Sequence, residues 1–323
     1  MQPFGATGPL VAALDIGGTK IAGALVDGEG RLLARALRPT PVGLDGEVVM
    51  RAVAEVLAEL RADARWAQAV AVGIGSAGPV DAVHGTVSPV NVPGWRDFPL
   101  VARVAEEAGG LPVVLAGDGV AITAAEHWQG AARGYDNALC MVVSTGIGGG
   151  LVLGGTLLPG PTGNAGHIGH ISVDLDGELC PCGSRGCVER IASGPNIARR
   201  ALGGGWQPPI GVDPTAEAVA ESARAGHPVA LASFDRAAQA LAAGIAATAT
   251  LVEIHVAVIG GGVANAGPLL FDPLRDHLTR YATLSFAASI EVAPAKLGTD
   301  AGLVGAAAAA AQALHLDAFG LTR

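Results

Sequence analysis

His170, Cys180, Cys182 and Cys187 place one imidazole and three thiols in a short stretch of chain. This Cys3His set is that of a closed structural Zn2+ site, and Gly183 and Gly186 would let the backbone wrap round one ion. In a reducing compartment such clustering points to metal rather than to disulfides. The fourth cysteine, Cys140, lies in an apolar strand and reads as core. A different chemistry is offered by Asp118, in VVLAGDGVA. Phosphoryl transfer to an alcohol needs a carboxylate to take the hydroxyl proton. Asp118 falls between an apolar strand and a helix, at the strand's carboxyl end, where α/β proteins place reactive groups. An aspartate ahead of a helix is also a preferred N-cap.

Three glycine-rich segments could serve phosphates: DIGGTK (Asp15 to Lys20), STGIGGG (Ser144 to Gly150) and IGGGVANAG (Ile259 to Gly267). Turns of this kind expose backbone N–H groups, and glycine lets phosphate oxygens approach them. None has the G-x-G-x-x-G spacing of a dinucleotide fold or the lysine of a Walker loop, so a nucleotide site here is of another kind. Asp15 could position Mg2+ through water. Thr19 and Lys20 could add phosphate contacts, although Lys20 reads equally as a strand-edge charge.

The elements that hold these residues follow from periodicity. Residues 10–38 read as a meander of strands, and 46–65 as an amphipathic helix. Buried strands are predicted at 69–78 and 113–116, with a helix from Gly119 to about Gly130. A second meander starts at 138, and 160–190 is irregular. Helices are predicted at 214–225, 228–252 and 300–314, and a strand at 255–261. The two meanders resemble each other, which suggests two related α/β domains facing across a central ligand cleft. The expected division is 1–116 plus 300–323 against 117–299.

Composition narrows the class. Half the residues are apolar and only 15% are charged, enough to bury sheets and helices in two domains. The net charge of −9 leaves no basic footprint for nucleic acid. No apolar run reaches membrane-spanning length, and the start lacks the basic residues of a signal peptide, so no membrane partner and a cytoplasmic location are expected.

The glycine-rich segments, in this order, resemble the nucleotide contacts of actin-like ATPases. NVPGW (Asn91 to Trp95), GHIGH (Gly166 to His170) and CPCGSRGCVE (Cys180 to Glu189) narrow the match. Over essentially the whole chain it resembles the ROK family of repressors, open reading frames and sugar kinases. The fourteen residues before Asp15 are too few for the repressors' DNA-binding module, so the kinase branch is implied. The resemblance implies a two-domain, actin-like (ribonuclease H-like) α/β fold and transfer from ATP to a hexose, with a homo-oligomer, dimer or tetramer, expected. It makes Asp118 the catalytic base and a sugar contact, and implies sugar contacts from Asn91, His167, His170 and Glu189. The zinc would pin the loop carrying Glu189. Asp15, Gly17, Gly18, Thr19 and Lys20, with Thr145 and Gly146, would hold the triphosphate, and Gly261 and Gly262 the adenosine.

Two positions depart from the family pattern. Gly117 stands where an asparagine usually precedes the aspartate, and His167 where a glutamate is usual. The second exchange replaces a two-oxygen acceptor by one ring acceptor or donor, as in bacterial N-acetylmannosamine kinases. Glucose is the first expectation for the sugar, N-acetylmannosamine the alternative. A sugar-binding sensor that has lost turnover is a reading of another class, and an actin-like filament or chaperone ATPase would need neither the cysteine cluster nor NVPGW.

Overall fold

The structure is a computed structural model that describes residues 8–43, 45–89 and 91–321. In chain order it contains β1 (Leu10–Ile16), β2 (Lys20–Val26), β3 (Leu32–Pro39), α1 (Gly46–Ala62), β4 (Ala69–Ser76), β5 (Val80–Asp81) and β6 (Thr86–Val87). Next come α2 (Leu100–Glu107), β7 (Val113–Gly117), α3 (Asp118–Gln129), β8 (Ala138–Val143), β9 (Ile147–Leu153) and β10 (Thr156–Leu158). Then follow α4 (Val188–Ala192), α5 (Gly194–Gly203), α6 (Ala216–Arg224), α7 (Pro228–Val252), β11 (Val256–Gly260), α8 (Pro268–Tyr281), β12 (Glu291–Pro294) and α9 (Ala301–Ala313). They form two compact units. The first comprises the described residues of Met1–Arg133, Gly155–Ala165 and Thr299–Arg323, the second Gly134–Gly154 and Gly166–Gly298.

The first unit is built on a sheet of order β3-β2-β1-β4-β7. β1 pairs antiparallel with β2 and parallel with β4, and β4 runs parallel to β7. Leu10 to Leu14 are all fully buried, as a strand covered on both faces requires. Leu10, Ala12, Leu14 and Ile16 share a core with Val49, Val53, Val56, Leu57 and Leu60 of α1 and with Leu100 and Val104 of α2. The opposite face carries α9, so closely that a Cβ at Gly73 would overlap the Ala306 carbonyl. α1 starts where the Asp45 carboxylate accepts the Glu47 N–H at 2.9 Å, an N-cap.

The second unit repeats the plan. β8 pairs antiparallel with β9 and parallel with β11, which runs parallel to β12. α7, with Phe234, Leu241 and Ile245 buried, packs against α4, α5, α6 and α8 in a core shared with Leu139, Met141 and Ile259 of the sheet. Cys140 is buried in β8, as its apolar surroundings predict.

The predicted strands and helices lie within a few residues of the observed ones, but α2, α4, α5, α8, β5, β6 and β12 are additional. The predicted helix 46–65 ends at Ala62, where Asp63 caps a short 3-10 turn by accepting the Arg65 N–H. Residues 117–133 and 155–165 cluster with the first unit, beyond the division read from the sequence. The cause is packing: α3 lies along α9, where a Cβ at Gly305 would overlap the Ala121 carbonyl. Asn164 likewise grips β5, accepting from the Val80 N–H at 3.3 Å and donating to the Val80 carbonyl at 2.7 Å. No described helix is long and apolar enough to cross a membrane.

Candidate active site and metal centre

In the first unit the turn between β1 and β2 is closed by the Gly17 N–H donating to the Lys20 carbonyl at 3.0 Å. Thr40 pins it: its N–H donates to the Thr19 carbonyl at 3.0 Å and its hydroxyl to the Gly17 carbonyl at 2.7 Å. Gly18 has to be glycine because the Asn91 side chain lies where a Cβ would stand, its amide nitrogen 2.5 Å away. The NVPGW loop carrying Asn91 is anchored by Trp95, which is fully buried and stacks on Phe98 with ring centroids 4.7 Å apart. Its indole N–H donates to the Gly46 carbonyl at 3.0 Å. The β1–β2 turn and the NVPGW loop are therefore one packed element.

Asp15, at the end of β1, lies beside the first turn of α9, where a Cβ on Gly302 would come 2.5 Å from its carboxylate. Burial raises the Asp15 carboxyl above its ordinary value, the Lys20 ammonium opposes this, and the Asp118 charge adds to it. Two mutually repelling carboxylates, one of them desolvated, are a donor set that suits a hydrated Mg2+. They also set a sign. A carboxyl raised in the folded state favours its neutral form, so that part of the stability is complete at low pH and is lost as pH rises through the folded value. Asp15→Asn is neutral at every pH. It is expected to raise Tm at neutral pH while lowering kcat, and the gain in Tm should vanish as pH falls to about 3. Melting curves across pH check this, and a lower Tm for the variant at neutral pH would contradict it.

Asp118 is the first residue of α3, and Gly117, in extended conformation, is the N-cap with no side-chain bond. The aspartate is thus not the N-cap residue itself, although one of its oxygens is still tied to the start of the helix. Its carboxylate accepts the Gly119 N–H at 2.7 Å, and the residue is exposed. A Cβ at Gly117 would meet nothing closer than the Gly163 carbonyl at 3.5 Å, ordinary contact, so no backbone demand explains glycine there.

In the second unit GHIGH forms a 3-10 turn, Ile168–His170, laid directly on β9. Cβ atoms at Gly166 and Gly169 would run into the backbones of Gly150 and Ile147, which explains both glycines. His167 is exposed, its ring 5.9 Å from that of His170 and tilted by 18°. The ligand atoms of His170, Cys180, Cys182 and Cys187 all lie within 4.8 Å of one another. Four ligands on one tetrahedral Zn2+ with Zn–S of about 2.3 Å stand roughly 3.6–3.8 Å apart. Cys182 Sγ and Cys187 Sγ are 3.7 Å apart, and Cys180 Sγ and His170 Nδ1 3.9 Å. In the absence of an ion, burial and the neighbouring thiols push the Cys187 thiol up to about 12. Only a cation makes such a cluster of thiolates favourable, and the donor set fits zinc. As expected, Gly183 and Gly186 turn the loop through left-handed conformations.

Glu189 opens α4 just after Cys187 and is half-buried. One of its oxygens accepts the Ile147 N–H at 2.7 Å, and a Cβ on Gly146 would come 2.9 Å from that oxygen. The Cys3His loop is thereby joined to the turn bearing Thr145 and Gly146. Beside this turn opens a cavity of about 590 Å³ lined by Ser144, Thr145, Gly262, Thr215, Glu217 and Asn265, among others. Gly261 adopts φ 88°, and a Cβ there would overlap the backbone of Val143.

The first unit thus gathers Asp15, Gly17, Gly18, Thr19, Lys20, Asn91 and Asp118. The second gathers His167, His170 and the three cysteines with Glu189, and Thr145 and Gly146 with Gly261 and Gly262. The α6 side of the cavity, with Thr215 and Glu217, was not indicated by sequence, because nothing in a helix such as AEAVAESAR marks it as a ligand wall.

Comparison with known proteins agrees with this geometry. Residues 11–313 match the ROK family. A glucokinase of Thermotoga maritima is 38% identical over 308 residues, 91% of this chain and 95% of the relative. An N-acetylmannosamine kinase of Yersinia pseudotuberculosis is 37% identical over 295 residues, covering 91% and 96%. The crystal structure of a ROK family glucokinase from Streptomyces griseus, in complex with glucose and AMPPNP, matches with a TM-score of 0.75 at 38% identity, covering 92% of this chain and 98% of that one. With the family matched from β1 to the end of α9, and with the Cys3His cluster and glycine turns in place, this chain is a member of the ROK family.

Proposed function

We propose that the protein is an ATP-dependent sugar kinase that phosphorylates the 6-hydroxyl of a hexose, with Asp118 as the base. The observation that carries this reading is Asp118 itself, exposed at the head of α3 and near enough to Asp15 for their charges to interact. The relatives, glucokinases and N-acetylmannosamine kinases of similar length, support it.

In the proposed reaction Asp118 takes the hydroxyl proton as the sugar oxygen attacks the γ-phosphorus. The bond from that phosphorus to the β–γ bridging oxygen breaks, and ADP leaves. Backbone N–H groups of Gly18 and Thr19 and of the Thr145–Gly146 turn would hold phosphate oxygens without a cost of reorganisation. The cavity between Thr145 and Asn265 would take the nucleoside. Mg2+, held through water by Asp15, would neutralise phosphate charge when bound. Asn91, His167, His170 and Glu189 would hold the sugar's other hydroxyls. A coupled ADP-release assay over a panel of hexoses tests the reading, and no ADP release with any hexose would leave the sensor alternative.

The sugar is proposed to be glucose. His167 favours a second reading, N-acetylmannosamine, because a ring N–H can donate to an acetamido carbonyl and a carboxylate cannot. His167→Glu is therefore expected to shift the ratio of kcat/KM values towards glucose by about 1–3 kcal/mol. If both sugars weaken together and the ratio stays put, His167 only shapes the turn beside the metal.

A further inference from the structure

The second unit has another cavity, of about 570 Å³, lined by Asp174, Glu178, Arg190, Arg199, Arg200 and Arg236, with Asp176 at its edge. Four guanidiniums face three carboxylates. Glu178 clamps two of them, at 2.9 Å from both Arg190 and Arg199, and Asp174 holds Arg236 at 2.5 Å. Arg200 makes no ion pair among the described residues, although the Glu178 charge is near enough to favour its charged form. It donates only to the backbone carbonyls of Ile191 and Ser233. Burial, together with Arg236 and Arg199, pushes its pKa down to about 10, so it is a cation held where its surroundings resist charge. Arg190 adds a second unsatisfied group: its Nε is buried with no hydrogen-bond partner. A buried N–H of a charged group left unpaired is costly, and an anion in the cavity would relieve it.

The chemistry of that anion can be narrowed. Arginine forks match carboxylate and phosphate oxygens equally well in shape. The carboxylate is already present, tethered, in Glu178, and an incoming group has to displace it. A phosphoryl dianion does so with twice the charge, whereas a second carboxylate has no advantage. Glu178 is 57% exposed, so it can swing into solvent at little cost. The cavity exceeds a bare phosphate, and Asp174 and Asp176 are acceptors suited to hydroxyls. We propose that this cavity is a regulatory site for a phosphorylated, hydroxyl-bearing small molecule, its phosphoryl group replacing the Glu178 carboxylate on Arg190 and Arg199.

The site has a route to the chemistry. Arg190 follows Glu189 in α4 and donates to Asn196 Oδ1 at 3.1 Å, while the Asn196 amide donates to the Glu189 carbonyl at 2.9 Å. An anion that draws Arg190 would shift Glu189, and with it the bond to the Ile147 N–H. That this alters sugar affinity rests on the sugar-kinase reading. Binding itself does not.

Calorimetry on the zinc-loaded protein, with glucose 6-phosphate as the probe and glucose and inorganic phosphate as controls, separates the two. Arg199→Gln and Arg200→Met are each expected to weaken the probe by about tenfold or more, and Glu178→Gln, which removes the tethered competitor, to tighten it several-fold. The KM for ATP should be the same in all three. The opposite signs are diagnostic, because an ion-pair brace without a ligand would lose stability in both kinds of variant and leave binding untouched. Equal affinity in wild type, Arg199→Gln and Glu178→Gln would overturn the proposal even in a fully active kinase. Displacement of glucose 6-phosphate by saturating glucose together with a non-hydrolysable ATP analogue would place the probe at the reaction centre and overturn it as well.

Discussion

Asp118→Asn is expected to lower kcat by at least about 10²-fold while the protein folds normally. The substitution keeps the shape of the side chain and an oxygen that can accept the Gly119 N–H, so α3 has no reason to move. What disappears is the capacity to take a proton. The amide also removes the charge that raises the Asp15 carboxyl, so a small rise in Tm should accompany the loss. Sugar KM should change far less than kcat, because a hydroxyl can still donate to the amide oxygen. Steady-state kinetics and a melting curve on the same preparation test this. Turnover close to wild type would take Asp118 out of the mechanism.

Zinc removal is the second large effect. The purified protein should contain about one Zn2+ per chain, and Cys187→Ser should contain almost none. Cys187 is fully buried, bridges to Ser172 and is the N-cap of α4, so a metal held there would fix the start of the helix that carries Glu189. Structural zinc contributes of order 10 kcal/mol in small metal-folded domains. Here the cores of both units exist without it, so the loss should be local. Chelation is expected to raise the KM for sugar before it lowers Tm, because the bond from Glu189 to Ile147 goes first. Elemental analysis of active protein that finds no zinc would refute this assignment.

What could be read from the residues was what local chemistry encodes. The Cys3His set is visible because ligand types at short spacing are themselves the signal, and the meanders because alternation and glycine turns are local. α8 was hidden by Pro273 in its interior, where a proline ordinarily breaks the helical pattern. α2 has eight residues behind Pro99, too few for a convincing period, and α5 begins with Gly194 and Pro195. The contacts that organise the site are long-range. Neither Glu189 on the Ile147 N–H nor Asn91 in the notch of Gly18 has a sequence signature. Gly117 also gains meaning only in three dimensions, where a Cβ at its position would make no more than ordinary contacts.

The place of α9 bears on how the protein is made. This helix covers the first sheet through contacts so close that Gly73 and Gly305 admit no side chain, yet it belongs to the stretch beyond Thr299. At roughly 5–20 residues per second, a ribosome that has finished the first 133 residues works on for at least several seconds before it supplies α9. During that interval one apolar face of β1 and β4 has no cover, whereas the second unit, apart from its opening hairpin, is contiguous and can close as it emerges. Nascent chains arrested before residue 300 should therefore bind holdase chaperones, and those released after α9 should not.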